Sequence, residues 1–373
     1  MSTSHKAHNT PASSDPSDPS DPSDPSDPRV RALGGGERYS RQTLFAGIGR
    51  EGQERLARAR VLIVGCGATG SVLANNLARA GVGHLRIADR DFVEGNNLQR
   101  QVLYEEDDAL VGLPKAVAAA QRIRRINSLV AVEPLATDVT AENIEELLDG
   151  VDLALDGTDN FETRYLLNDA CLKQKVPWIY SGVIAAYGVT MTILPHDTAC
   201  LRCVFPDRPL PGTTPTCDTV GVLNGIVGAI GGIAATEALK LLVGSDRLRR
   251  GMTWLDLWEN TYDAIELPRQ EDCPACGRGE YEYLDASIDE SGTSLCGRNA
   301  VQVRPPRGTR HALDLAALAE RLRGAGEVDS NGFLLRLRVE GYDMTIFPDA
   351  RAIIKGTDDT AVARTIYARY VGM

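Results

Sequence analysis

One segment limits the possible folds more than any other. Arg60-Val-Leu-Ile-Val64 is a short apolar run that ends in Gly65-Cys-Gly-Ala-Thr-Gly70, and over residues 71–80 apolar residues recur at helical spacing. A buried strand, a glycine turn and a helix, in that order, open a parallel β-α-β unit. Glycine permits the tight turn, and the helix N-terminus offers unpaired N–H groups to a phosphate. Gly65, Gly67 and Gly70 are therefore candidate nucleotide contacts. His84-Leu-Arg-Ile-Ala-Asp89 predicts the second strand. Asp89 ends it, about 20 residues past the glycines, where an acid can hold ribose hydroxyls. This pattern points to a nucleotide without choosing between NAD and ATP, and tight strand–helix packing alone would also call for glycine.

The rest of the body repeats the alternation. Residues 47–58 read as a lead-in helix. Strands are expected at 131–135, 151–156 and 177–181, and helices at 115–126, 141–148 and 161–174. Strand and helix in turn specify an α/β fold: a doubly wound, Rossmann-like, mostly parallel sheet. Residues 189–194 alternate in character, as an antiparallel extension would. Pro206, Pro209, Pro211 and Pro215 then interrupt residues 205–219, which read as a long mobile loop. An apolar helix at 225–242 and a strand near 252–257 close the body. Segments at 301–303, 313–322, 333–339, 344–347, 350–355 and 361–370 predict a small β-α-β-β-β-α unit. The chain thus divides into a disordered tail (1–36) rich in repeated Asp-Pro-Ser, a body (37–279) and a small C-terminal α/β domain (280–373).

Composition removes several functions. The formal net charge is −11, which leaves no broad basic face for a nucleic acid. Eight cysteines are too few for a disulfide scaffold of this length. Of only five histidines, His5 and His8 lie in the tail, so a His-based triad is not expected. Residues 220–243 are apolar enough to require weighing against a membrane span. Asn224, Glu237 and Lys240 interrupt them, and the clean stretch 225–235 is too short to cross a bilayer. A buried core helix is expected there, with no membrane partner. The N-terminus has no basic stretch followed by an apolar run, so the cytoplasm is the expected location.

The surroundings of the glycine turn discriminate further. Asn97-Leu-Gln-Arg100-Gln101 follows the second strand, and Lys115 follows Gly112-Leu-Pro. A site that cleaves phosphate needs cations for charge developing on the α-phosphate and pyrophosphate. Asp159, in Gly157-Thr-Asp159-Asn160, falls at the carboxyl end of a body strand, where it can place Mg²⁺. Arg100 and Lys115 could equally be solvated helix charges, and Asp159 a helix N-cap. Two CxxC pairs, Cys200-Leu-Arg-Cys203 and Cys273-Pro-Ala-Cys276, supply the four thiolates of a structural zinc. Their wide separation suits a clip that ties chain segments together. Cys66 and Cys171 read as core. Cys217, in the proline-rich loop, can present an exposed thiol, and Cys296 has no evident role.

Taken together, residues 37–277 resemble the ThiF/MoeB/HesA family, prokaryotic relatives of ubiquitin-activating enzymes. The resemblance rests on Arg38-Tyr-Ser-Arg41-Gln42, the glycine turn, Asp89-Arg-Asp91, Asn97-Leu-Gln-Arg100-Gln101, Gly112-Leu-Pro-Lys115, Thr158-Asp159-Asn160 and both CxxC pairs. It implies an ATP- and Mg²⁺-dependent adenylyltransferase acting on the C-terminal glycine of a ubiquitin-like sulfur carrier. It implies a homodimer in which Arg41 reaches the phosphates of the other subunit. Asp89 would hold ribose, Arg100 and Lys115 the phosphates, and Asp159 the Mg²⁺. Asn97, Gln101 and Asn160 would be supporting contacts. Cys217 matches a loop cysteine tied in some members to a covalent step on the carrier, and a sulfur donor enzyme would be a further partner.

The composition agrees with that chemistry. The nucleophile would be a carboxylate already ionised at neutral pH, so no general base is needed. A ThiS-like carrier for thiamine thiazole synthesis is favoured, with a MoaD-like carrier for molybdopterin synthesis as the alternative. A NAD-dependent dehydrogenase would explain the glycines and Asp89 but leave the cations and cysteine pairs without roles. A non-catalytic scaffold for ubiquitin-like proteins would not need the phosphate-binding cations. Adenylation of a peptide is a fourth reading. The C-terminal unit carries no rhodanese-like anion-binding loop, and its role is open.

Overall fold

The computed structural model describes residues 35–209, 215–285, 293–295, 299–304 and 313–372. The Asp-Pro-Ser repeat and Cys296 lie outside the described residues. A one-turn helix at Gly35–Arg38, which begins within the expected tail, and two further helices, α1 (Ser40–Leu44) and α2 (Gly49–Arg58), lead into β1 (Arg60–Val64). Then follow α3 (Ala68–Ala80), β2 (His84–Ala88), α4 (Glu106–Val111), α5 (Lys115–Ile126), β3 (Ala131–Leu135), α6 (Ile144–Leu147), β4 (Leu153–Asp156), α7 (Phe161–Gln174), β5 (Trp178–Ile184) and β6 (Tyr187–Ile193). Further on are α8 (Leu201–Val204), α9 (Cys217–Val220), α10 (Asn224–Val243), β7 (Gly251–Asp256) and β8 (Thr261–Glu266).

These strands form one eight-stranded sheet in the order β3-β2-β1-β4-β5-β6-β7-β8. β1 pairs in parallel with both β2 and β4, so the winding direction reverses between them. From β5 onward the strands pair antiparallel, as the alternating residues 189–194 predict. Val61 to Val64 are all buried because helices cover both faces of a parallel sheet. The fold is thus the doubly wound α/β arrangement expected.

Three details depart from expectation. β8 was not foreseen: every residue of Thr-Tyr-Asp-Ala-Ile-Glu is exposed at the sheet edge, so no buried face patterns it. The predicted helix 141–148 shortens to α6. The proline-rich segment ends in α9, which a parallel bridge between Ala185 and Val222 docks against the β5–β6 turn.

α10 is long and apolar enough to cross a membrane by composition alone. It instead packs against α3, β5 and β6. Ile226, Val227 and Ile230 are buried, and a Cβ on Gly231 would stand 2.6 Å from Val72 Cγ1, so the two helices touch backbone to side chain.

Beyond α11 (Glu282–Asp285), β9 (Thr293–Leu295), β10 (Ala300–Val303), α12 (Leu315–Leu322), β11 (Glu327–Ser330), β12 (Leu335–Val339), β13 (Tyr342–Ile346), β14 (Ala352–Lys355) and α13 (Thr360–Tyr370) follow. They make an antiparallel sheet, β11-β12-β13-β14-β10-β9, with its own core of Val301, Leu318, Leu337, Met344, Ile354 and Ile366. The predicted order gains β9 and β11, which are too short and polar to show in the sequence.

Candidate active site

The site lies at the carboxyl ends of β1, β2 and β4, at the point where the sheet changes direction. Such a crevice is where open α/β sheets bind ligands. Gly65 leaves β1 with φ +81°, a conformation that disfavours a side chain. A Cβ on Gly70 would stand 2.0 Å from the Gly65 carbonyl oxygen, and one on Gly157 would stand 2.2 Å from the same atom. Backbone contact therefore requires both glycines. Gly67 is different: a Cβ there would meet nothing nearer than 3.8 Å. Packing does not explain Gly67, whose backbone borders open space at the turn. Among the described residues no side chain caps the N-terminus of α3, so its first-turn N–H groups have no side-chain acceptor.

Asp89 is buried beneath this turn. Its Oδ2 accepts the Cys66 N–H at 2.5 Å and its Oδ1 accepts the Asp91 N–H at 2.7 Å. Burial raises its carboxyl above the ordinary value, opposed by the nearby Lys115 cation. Lys115 is only 5% exposed, and its Nζ lies 3.2 Å from Asp91 Oδ2. It is therefore not the solvated helix charge that its sequence position also allows. Burial pushes the Cys66 thiol up to about 12, which makes it a core residue rather than a nucleophile.

Gln101 is buried above Gly67, and its Oε1 has no hydrogen-bond partner among the described residues. A buried acceptor without a donor fits a ligand that supplies one. Arg100 is partly exposed and donates to the Asn96 carbonyl at 2.8 Å. Asn97 is buried and caps its own turn, accepting the Glu94 N–H at 3.0 Å.

Asp159 is exposed at the end of β4, facing the Arg90 and Arg164 cations. It is not the N-cap of α7. Asn160 is, accepting the Thr163 N–H at 2.8 Å. The turn that presents Asp159 is held by a pair not foreseen from sequence. Asp156, wholly buried, accepts from Thr158 N at 2.8 Å, Thr158 Oγ1 at 2.7 Å and Arg164 Nε at 3.0 Å. Arg164 also donates to the Thr158 and Ser181 carbonyls and lies over the Phe161 and Tyr180 rings. Arg41 is exposed on α1. Cys217 is half-buried, its Sγ 3.6 Å from the Val183 carbonyl.

The two CxxC pairs meet as expected. All four sulfurs lie within 4.8 Å of one another, with Sγ–Sγ separations of 3.9, 3.6 and 3.4 Å between neighbours. A tetrahedron of about 2.3 Å Zn–S bonds has edges of about 3.8 Å, so the set fits zinc. The Gln270 N–H points at Cys203 Sγ, and Arg269 donates to the Cys276 carbonyl at 2.7 Å, fixing the ligands from outside. Cys171 is buried, as a core residue should be.

Fold and site together define a nucleotide-binding α/β enzyme with a four-cysteine clip. Residues 39–275 match the ThiF family. The chain is 44% identical over 338 residues, 90% of its length, to the Sulfur carrier protein ThiS adenylyltransferase of Bacillus subtilis, covering 99% of that protein. It is 41% identical over 67% of its length to the SAMP-activating enzyme E1 of Haloferax volcanii, covering 92% of it. Its fold matches the crystal structure of E. coli MccB with a TM-score of 0.58 at 22% identity, over 64% of this chain and 72% of that one. The chain belongs to the ThiF family. It is an enzyme, an adenylyltransferase.

Proposed function

We propose that this enzyme uses ATP and Mg²⁺ to adenylate the C-terminal glycine of a ThiS-like ubiquitin-like sulfur carrier. One observation carries the proposal. The glycine turn, Asp89, the Asp91–Lys115 pair and Asp159 converge at the sheet's switch point. The near full-length likeness to a ThiS adenylyltransferase favours that carrier over a MoaD-like one.

In this reading the α3 N-terminus and Lys115 receive the phosphates, Arg100 turns to join them, and Asp89 holds the ribose. The unpartnered Gln101 Oε1 takes a donor from the nucleotide. Asp159 would hold Mg²⁺, which when bound offsets phosphate charge. The carrier's carboxylate attacks the α-phosphorus, an acyl–phosphate bond forms, and the bond to pyrophosphate breaks. The nucleophile is already ionised, so the chain's task is alignment and charge stabilisation. Residues 37–279 form the adenylating unit, against whose core Tyr281, Tyr283 and Leu284 also pack, and the remainder of residues 280–373 forms a second unit. The enzyme acts in the cytoplasm as a homodimer whose partner contributes Arg41. Cys217 serves a later covalent step, possible because its loop is docked beside β5; a sulfur donor enzyme would supply that step.

The test is ATP–pyrophosphate exchange with a panel of carriers ending in Gly-Gly. Exchange with a ThiS-like carrier alone is expected; exchange with a MoaD-like carrier alone would reassign the pathway. Asp159→Ala should abolish exchange with the far-UV spectrum unchanged, and near-normal rates would refute its role. Cys217→Ala should still adenylate but pass no sulfur; full sulfur transfer would remove Cys217 from the reaction.

A further inference from the structure

Side-chain contacts between the C-terminal sheet and the body include those on three short stretches: residues 90–94, residues 111–112 and Asp138. Arg351 donates to the Arg90 carbonyl at 2.5 Å while stacked 3.7 Å from the Phe347 ring centre. Phe347 and Ile353 pack with Phe92, and Lys355 Nζ lies 2.7 Å from Glu94 Oε1. Asn331 donates to the Val111 carbonyl at 2.7 Å and the Gly112 carbonyl at 3.2 Å. Arg336 lies against Gly112 and over the Phe92 ring. Gln302 and Arg304 both donate to Asp138 Oδ2, at 2.8 Å and at 2.6 and 3.0 Å.

These stretches are one mechanical unit. Phe92 bridges to Pro114, the Val93 N–H reaches the Leu113 carbonyl at 2.8 Å, and the Lys115 N–H reaches the Asp91 carbonyl at 2.9 Å. Whatever fixes residues 90–94 and 111–112 therefore fixes Asp91 and Lys115. Asp138 adds a second link, because Arg90 Nη1 lies 3.5 Å from its other oxygen. Burial disfavours the Asp138 carboxylate, yet Arg90, Arg304 and Arg351 hold it below the ordinary range. Burial also works against the Arg90 cation, and Asp138, Asp91, Asp159 and Asp89 more than offset it. Without its anchor at Asp138, Arg90 would be drawn onto the acids that serve the nucleotide.

We propose that the C-terminal unit braces the nucleotide end of the site, with Gln302, Arg304, Asn331 and Arg351 as positioning residues that set Arg90, Asp91 and Lys115. None of these four needs to touch ATP. The inference rests on the reading of Lys115 and Asp91 as part of an ATP site, and it assigns a task to a unit that the sequence leaves without one.

The test uses the full chain and a non-hydrolysable ATP analogue, with affinity measured by calorimetry, so that it needs no carrier. The Gln302→Ala/Arg304→Ala double variant should bind the analogue about tenfold more weakly, the scale of losing charge-assisted hydrogen bonds. Arg304→Lys with Gln302 intact should recover most of that loss. In exchange assays the KM for ATP should rise while the KM for the carrier stays within about twofold of wild type. Asn331→Ala removes the contact to the 111–112 turn, with the local bonds from the Phe333 and Leu334 N–H groups, leaves the Asp138 cluster intact, and guards against a double variant that fails to fold; it too should weaken ATP. Folded variants with unchanged ATP affinity would overturn the brace. So would a rise in carrier KM alone, which would make the unit a docking surface. A wild type that binds the analogue but shows no exchange would refute the proposed carrier chemistry and leave the comparison of affinities standing. A wild type that binds no ATP would overturn both.

Discussion

Replacing Arg164 by methionine isolates the cost of the buried pair behind Asp159. Methionine keeps an apolar stem between the Phe161 and Tyr180 rings but removes every donor. Asp156 is 0% exposed and would keep only its short-range donors, Thr158 N and Oγ1, with the Ser181 N–H 3.4 Å away. The Thr158 and Ser181 carbonyls would each lose a donor. Removing one partner of a buried ion pair costs about 3–5 kcal/mol, because a charge is left without compensation. Urea titration followed by tryptophan fluorescence, to which buried Trp178 beside Tyr180 contributes, reports the loss. Asp156→Asn/Arg164→Met should cost less than the sum of its single variants, by about 1–3 kcal/mol. Because Thr158 hangs on this pair, Arg164→Met should also slow exchange at temperatures where the chain is folded. A variant within about 1 kcal/mol of wild type would refute the view that the pair holds this turn.

Other outcomes follow from the same geometry. Zinc analysis should find one ion per chain, and Cys273→Ser or chelation should lower the melting temperature by about 5 °C or more; a metal-free chain of undiminished stability would reject the clip. Burial pushes the Asp169 carboxyl up to about 6, against hydrogen bonds from the Tyr283 N–H and Asn168. A carboxyl raised in the folded state contributes stability below its unfolded value, lost as pH rises through about 6. Asp169→Asn should therefore stabilise the chain by up to about 3 kcal/mol at pH 8 and very little at pH 4; an equal effect at both would contradict the assignment.

What the sequence disclosed depended on locality. β1, the glycine turn and α3 are contiguous, and their apolar runs and punctuation are visible directly. The two CxxC pairs announce themselves by spacing, although their meeting is tertiary. Asp156 and Arg164 stand eight residues apart across a strand end and a helix, where no periodicity links them. Asp138 and Arg304 are 166 residues apart, so that contact leaves no local trace. Asn160 had the residue type of a nucleotide ligand and the position of a helix cap, and the backbone uses it as the cap. β8 leaves no signal in the sequence, because an edge strand exposed on both faces has no alternation to detect.

Where Gly65, Gly70 and Gly157 meet under the crevice, backbone packs on backbone with no room for a Cβ. A contact without side chains has nothing to mutate except its own existence. Point changes there can collapse the crevice but cannot retune it. Adjustment of affinity or nucleotide choice must come from the walls, at Asp89, Gln101 and Lys115, where chemistry can change one atom at a time. A search for altered-specificity variants should randomise those three positions and leave the glycines untouched.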